Sequence, residues 1–343
     1  MGNEGLVEVV LPGIVAPEGL QVRRGTVPAA GRGQVVVAME ATGVSFAEQQ
    51  MRRGRYYDQP PFPFVPGYDL VGTVVSAGEG VEEGLVGQRV AALVKVGGWA
   101  SHVVVDAGDL VPVPEGLPAA EAETVVVNGI TAWQMLHRTA RVRAGQTVLV
   151  HGASGGVGSV LAQLARAAGA TVIGTASARH HDALRELGVL PVDYRAGNVA
   201  ERVRELAPGG LDAVFDHLGG RSVTDSWRLL AAGGTLVAYG SASTRDDNGS
   251  KQLPVLKILA RTLVWNALPN GRRASFYNIW AGRALNKAAF RARLRADLTE
   301  VFAAVGRGEV VARIAARLPL DRAAEALRLA ESGTVTGKIV LVP

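Results

Sequence analysis

The 343-residue chain carries 36 lysines and arginines against 31 aspartates and glutamates, a formal net charge of +5, and 48% of it is hydrophobic. That length supports two domains with cores of their own, and no uninterrupted apolar run is long enough to span a bilayer. Zero cysteines exclude disulfides, cysteine nucleophiles and thiolate metal sites together.

No basic motif interleaves with aromatics, so no nucleic-acid partner is expected, and no membrane partner either. The first residues lack a basic segment leading into an apolar secretory core, which points to a cytoplasmic protein. The surplus positive charge reads as solvation plus attraction for a polyanionic cofactor.

Short β-rich runs at 34–39, 72–76 and 88–93, separated by glycine and proline turns, predict a small, mostly β domain. The texture changes near Asn128. Residues 147–150 are a short apolar run, as in a parallel strand buried on both faces. Gly152, Gly155, Gly156 and Gly158 then permit a tight turn. Val157, Val160, Leu161, Leu164, Ala165 and Ala168 recur at the spacing of one helix face. Gly169 closes that helix, and residues 170–175 supply a second buried strand. Strand, glycine turn, helix and strand make a right-handed crossover whose helix N-terminus suits a dinucleotide pyrophosphate. The glycine frame is imperfect, Ala153-x-Gly155-x-x-Gly158, with alanine in the first place. Its setting after a strand and before a helix favours that reading over a βα turn that binds nothing.

Downstream, Asn198 with Glu201 reads as an N-cap and a reaching acid. Residues 211–216 and 235–239 read as strands, the second introduced by Gly233-Gly234, with a helix over 222–231 between them. The alternation predicts an α/β fold, a doubly wound parallel sheet with ligands at the carboxyl ends of its strands. Residues 242–250 read as a mobile loop, 286–306 as a long helix, and 337–342 as a strand returning to the first domain. The expected domains are 1–127 with 282–343, and 128–281.

The second strand ends in Thr175-Ala176-Ser177-Ala178-Arg179-His180-His181, without the acid that accepts hydrogen bonds from an NAD ribose. Ser177 can donate to a 2′-phosphate, Arg179 can bind it with charge assistance, and His180 can help when protonated. Tyr194 could approach the same pocket. NADPH is therefore favoured over NADH. The competing reading is that Arg179 and the histidines decorate a solvated helix start. Asp182, the nearest acid, falls in the first turn and faces the helix dipole.

With these segments placed, the whole chain resembles the medium-chain dehydrogenase/reductase superfamily. Within it, the chain resembles the zinc-free quinone oxidoreductase branch that includes zeta-crystallin and the vesicle amine transport protein homologues. The match is carried by Gly43-Val44-Ser45-Phe46-Ala47, Pro63-Phe64-Val65-Pro66-Gly67 and Asn128-Gly129-Ile130-Thr131-Ala132-Trp133. The glycine turn, Asp216-His217-Leu218-Gly219-Gly220 and Thr336-Gly337-Lys338-Ile339-Val340 extend it in the same order. The resemblance implies a GroES-like β domain plus a Rossmann domain. It also implies a homodimer joined edge to edge near residues 275–279.

The cofactor set expected on this basis has three clusters and two ends. Ser154, Gly155, Gly156 and Val157 form the turn, and Ser177, Arg179, His180 and Tyr194 the adenosine side. Tyr239, Gly240 and Ser241 follow the fifth strand, and Lys338 lies in the closing tail. Asn128 and Thr131 would stand beside the nicotinamide, where Thr131 either holds the reactive face or only caps a helix.

Zinc alcohol dehydrogenases of the superfamily use cysteine ligands and a Gly-His-Glu motif where this chain has Gly67-Tyr68-Asp69. The six histidines, His102, His137, His151, His180, His181 and His217, form no ligand-spaced group, so no metal is expected. Without a metal, hydride addition to a quinone or an enone fits, because conjugation already spreads the developing charge onto an oxygen. Ser45 and Glu48 stand where the family commonly has asparagine and aspartate. Ser45 and Tyr56, with Thr131, are the catalytic candidates; Tyr56 and Tyr57 could equally be cover residues on a loop. The pocket would be shaped by loops around Tyr56, residues 253–268 and Phe276. The alternative function is an NADPH-binding redox-sensing or structural protein with little turnover.

Overall fold

Strand Gln34–Val44 presents Val35, Val37 and Met39 to one apolar cluster, shared with Leu70, Val74, Val90 and Trp99. These side chains build the core of the first of two compact units in this computed structural model. The units comprise Met1–Ile130, Gly282–Arg307 and Ala312–Pro343, and Thr131–Ala281 with Gly308–Val311. Residues 4–244, 250 and 252–343 are described.

The first unit holds a seven-stranded sheet in the order Ile314–Pro319, Lys338–Val342, Gln34–Val44, Asp69–Ala77, Arg89–Leu93 and Leu110–Pro112, with His102–Asp106 also paired to Gln34–Val44. Its neighbours run antiparallel except for the pair Ile314–Pro319 and Lys338–Val342. The closing tail is thus an interior strand. Helix Lys287–Gly306, capped by Asn286 Oδ1 accepting from Ala289 N at 2.9 Å, also belongs here. Its Arg291 is paired with both Asp106 and Asp109.

The second unit has six strands: β1 (Thr147–Val150), β2 (Thr171–Ala176), β3 (Leu190–Asp193), β4 (Leu211–Asp216), β5 (Leu230–Ala238) and β6 (Arg273–Phe276). They pair in the order β3-β2-β1-β4-β5-β6, every neighbour parallel. Val148, Leu149, Val214, Phe215, Leu236 and Val237 have no exposed surface, as expected for strands covered on both faces. The chain moves outward one way from β1 and the other way from β4, so the topological switch point lies between those two strands. Together the units form an α/β protein with a GroES-like sheet domain and a Rossmann doubly wound sheet.

Several expectations shift. The helix expected over 222–231 runs Gly220–Leu229, and β5 begins at once, at Leu230. Residues 253–268, expected as pocket loops, are mostly the helix Leu253–Asn266. Pro254 sits in its first turn, where its missing N–H has no partner to lose. Of the loop expected at 242–250, Ala242–Thr244 forms a single 3-10 turn, while 245–249 lie outside the described residues. Among the described residues no helix is long and apolar enough to cross a membrane.

Candidate functional site

The turn after β1 opens helix Gly156–Ala167, with Gly155 as an N-cap that has no side chain to close the helix end. The first N–H groups of that helix are therefore left for another partner. Gly155 N itself donates to Gly152 O at 3.0 Å, and Ala153 N to Thr175 O at 3.0 Å. The glycines serve different needs. A Cβ on Gly158 would stand 2.2 Å from Gly152 O, so the fold itself requires glycine there. On Gly155 the nearest atom would be Gly152 O at 3.3 Å, a contact the turn could absorb. What a side chain at Gly155 would obstruct is the open face above the helix end. The alanine in the first place is explained too. Ala153 is fully buried, and its methyl occupies the space beside Gly174 of β2, where a Cβ would come within 2.7 Å.

A buried network braces the turn from below. His151, the residue after β1, approaches Thr175 Oγ1 through Nδ1 (3.3 Å) and Ser226 Oγ through Nε2 (3.1 Å). Thr175 Oγ1 also accepts from Gly152 N at 3.0 Å. Ser226 and Ser222 hydroxyls donate to Asp216 Oδ2 at 2.8 and 2.6 Å, while Leu218 N and Gly219 N donate to its Oδ1. Burial holds the His151 imidazole below its usual pKa, with Asp216 opposing. Sequence reasoning missed this brace, which links the tips of β1, β2 and β4.

At the tip of β2, Ser177 is buried and Arg179 is exposed. Arg179 Nε donates to His180 Nε2 at 3.3 Å. Burial lowers the His180 pKa, and the charges of Arg179 and His181 lower it further. The positive charge near neutral pH therefore resides on Arg179. Asp182 does more than face the helix dipole, because its Oδ1 accepts from Arg185 Nη1 at 2.6 Å. Tyr194, after β3, is 49% exposed with the Arg195 guanidinium 5.5 Å from its ring centre. Asn198 Oδ1 caps helix Val199–Leu206, and Glu201 reaches back to the Asn198 side chain at 2.8 Å.

Tyr239, Gly240 and Ser241 follow β5. Gly240 lies so close to the segment after β4 that a Cβ would stand 2.7 Å from His217 O. The imidazole of His217 packs 5.8 Å from the Tyr239 ring, centre to centre.

In the first unit, Ser45 is an N-cap before it is anything else. Its Oγ accepts from Ala47 N at 3.1 Å and donates to Glu48 Oε2, which also accepts from Ser45 N at 2.8 Å. This capping box opens helix Phe46–Arg52. Glu48 is 1% exposed, with Oε1 lacking a hydrogen bond, and burial raises its pKa. Tyr56 shares a hydrogen bond of 2.9 Å with Tyr68 and packs 4.8 Å from Tyr57. Burial, then the neighbouring phenols, holds its hydroxyl protonated far above the ordinary range. Asn128 and Thr131, three residues apart on helix Val126–Trp133, are 5% and 7% exposed, and Asn128 Nδ2 donates to Thr124 O at 3.0 Å.

Lys338 corrects an expectation. Its ammonium does not stand free for a cofactor; it donates to Asp69 Oδ2 at 2.7 Å and Glu123 Oε1 at 2.6 Å, and approaches Glu123 O at 3.4 Å. The group is 4% exposed, and Asp69 Oδ2 also accepts from Val127 N at 2.9 Å. Burial pulls the Lys338 pKa down, but Asp69 and Glu123 outweigh it and hold the amine charged. Burial also drives Glu123 well above the usual carboxylate range, against the pull of Lys338.

Comparison with known proteins agrees with this architecture. Residues 31–115 match the model of the alcohol dehydrogenase GroES-like domain, and residues 187–341 that of the zinc-binding dehydrogenases. The rat synaptic vesicle membrane protein VAT-1 homolog is 35% identical over 334 residues, covering 94% of this chain and 80% of that protein. A quinone oxidoreductase from Pseudomonas syringae pv. Tomato DC3000 superposes with a TM-score of 0.85 at 27% identity, covering 99% of this chain and 100% of that one. Mycobacterial Rv1454c complexed with NADPH gives 0.83 at 26% identity, with coverage of 99% and 100%. The chain belongs to the medium-chain dehydrogenase/reductase superfamily, in the branch that holds the VAT-1 homologues and the quinone oxidoreductases. It is an oxidoreductase of that family.

The name of the second family model raises the question of zinc. The chain has no cysteine, and among the described residues no three His, Asp or Glu side chains stand together as a metal would need. The donor set does not fit zinc. A dinucleotide is different, because the uncapped helix end and the room above Gly155 fit a pyrophosphate.

Proposed function

We propose that the protein is an NADPH-dependent, zinc-independent reductase that delivers hydride to a quinone or an α,β-unsaturated carbonyl compound. The observation that carries this reading is the open helix N-terminus at Gly155, beside a β2 tip that offers Ser177 and Arg179 and no carboxylate. Bound NADPH would supply the hydride. The N–H groups of Gly156 and Val157, flanked by Ser154 and Gly155, would receive the pyrophosphate. Ser177 and Arg179 would take the 2′-phosphate, with Tyr194 and a largely neutral His180 shaping the pocket. Tyr239, Gly240 and Ser241 would follow the cofactor past β5, and Asn128 with Thr131 would hold its nicotinamide end. The hydroxyls of Ser45 and Tyr56 would exchange their present partners, Glu48 and Tyr68, for the acceptor oxygen, orienting it and answering its developing charge. A second copy of the chain would join along β6, an edge strand of the sheet.

NADPH consumption with a panel of quinones and enones tests the reading, together with calorimetric binding of NADPH to the parent protein and to Gly155→Val. Turnover with at least one acceptor, and lost binding in a folded Gly155→Val protein, are expected. Tight binding with no turnover on any acceptor would instead mark a dinucleotide-binding sensor or structural protein. Unimpaired binding by Gly155→Val would overturn the site.

A further inference from the structure

The helix Leu253–Asn266 is packed on one side only. Ile258 and Thr262 are buried, Ile258 in the apolar cluster of the Rossmann sheet, and Trp265 stacks on Trp227 with ring centres 4.8 Å apart. The opposite side carries Leu253, Leu256, Leu259, Leu263 and Val264, between 40% and 74% exposed, with Ala260 exposed among them. These residues recur three, four and seven apart, so they form one stripe along a 14-residue helix, about 21 Å long.

The stripe is nearly free of charge. The helix has two cations, and Arg261 is turned away to donate to Gly220 O at 2.8 Å, which leaves Lys257 at the margin. So little charge gives neither an anionic lipid surface nor an acidic partner much to recognise. A continuous apolar stripe suits a self-complementary contact instead. The neighbouring sheet edge narrows the geometry. Asn266, the last residue of the helix, closes on β6: its Nδ2 donates to Ala274 O at 2.9 Å and its Oδ1 accepts from Ala274 N at 2.7 Å. Both main-chain groups of Ala274 are thereby taken, and β6 is shut to an added strand at that point. Beside β6 it is the helix that presents an unpartnered surface.

We infer that this helix is the self-association surface of the chain, two copies packing helix on helix, antiparallel, about a two-fold axis between Leu259 and Ala260. The inference rests on the reading that a second copy joins along β6, and it names side-chain packing by the helix as the means. About that axis Leu256 meets the partner's Leu263, and Leu259 meets the partner's Ala260. Large side chains thus face small ones at the centre and leucines face each other on both flanks, which lets the two helices interdigitate.

Leu256 and Leu263 are already exposed in the single chain, so Leu256→Asp with Leu263→Asp should leave the fold intact while placing carboxylates on both sides of the contact. Sedimentation velocity should show the parent as a dimer, and the double variant should dissociate at least about a hundredfold more readily. A second readout needs no loss of binding. Because the chain has no cysteine, mild oxidation of Ala260→Cys should join two copies through a disulfide across the axis. Leu285→Cys, at a position 93% exposed in the other unit, should stay unlinked. If the double variant stays dimeric, or Ala260→Cys fails to cross-link within a dimer, the inference is overturned while the second copy stands. A parent that sediments as a monomer overturns both.

Discussion

At the tip of β4, Asp216 accepts four hydrogen bonds, from two backbone N–H groups and two serine hydroxyls, whereas Asp69 and Glu123 of the first unit share the single ammonium of Lys338. Asp69 Oδ1 and Glu123 Oε2 are left buried without a hydrogen bond. Both arrangements hide carboxylates from water, but they distribute the compensation differently. Neutral donors spread it over several groups, so each is dispensable to a degree. One cation between two acids concentrates it, so removing that cation leaves the pair with the Val127 N–H as its remaining donor. Buried polar groups are therefore unequal in what their loss costs, even where burial is alike.

The largest expected effect tests that contrast directly. Lys338→Met should cost about 3–5 kcal/mol of stability, because it strands buried carboxylates. Ser226→Ala should cost about 1 kcal/mol, since Asp216 keeps its other donors. Urea unfolding of the two variants reads the difference, and equal losses would break the comparison.

The pH dependence sharpens it, because Glu123 and the imidazole of His217, next to Asp216, respond with opposite sign. Folding raises the Glu123 pKa, so its ionised form is harder to sustain in the native state than in the unfolded chain. Stability should fall as pH rises above the ordinary carboxylate range, and Glu123→Gln should flatten that fall. Folding lowers the His217 pKa from 6.5 to about 4, so its contribution is lost as pH drops through that interval. Urea midpoints across a pH series, with Glu123→Gln and His217→Phe alongside, should separate the two arms.

At the level of the cofactor, Arg179→Ala should cost about tenfold in NADPH affinity, about 1.4 kcal/mol, and leave NADH nearly unchanged. Equal losses for the two dinucleotides would remove Arg179 from the phosphate site. The smallest effect belongs to Ser45→Ala, which removes one side of the capping box. It should lower stability by about 1 kcal/mol in thermal or urea unfolding. No loss at all would mean that the helix Phe46–Arg52 does not depend on its cap.

What could be read from the sequence follows from range. The β1–turn–helix–β2 unit, the cap at Asn198 and the strand 211–216 are local patterns, and the chain states them within a few neighbours. The helix Leu253–Asn266 escaped because apolar residues occur almost all round it: Leu256, Leu259, Leu263 and Val264 are exposed while Ile258 is buried. Without a polar stripe there is no period to see. The Lys338 cluster escaped for another reason, its members being separated by 215 and 269 positions. His217 lies in the motif Asp216–Gly220, yet only the strand order shows that it follows a strand bordering the switch point. Of the acceptor side, the sequence supplied the hydroxyls of Ser45 and Tyr56. It could not show that each already has a partner.

The placement of strand Lys338–Val342 also bears on the order of events at the ribosome. This strand sits inside the first unit's sheet, between Ile314–Pro319 and Gln34–Val44, and it carries the ammonium that Asp69 and Glu123 share. Residues 131–281 form most of the other unit as one contiguous stretch. During synthesis the Rossmann sheet can therefore close while the earlier β strands still lack their neighbour and their counter-charge. The part translated first is the part completed last, and until residue 338 emerges two carboxylates must remain hydrated, which keeps the nascent sheet open.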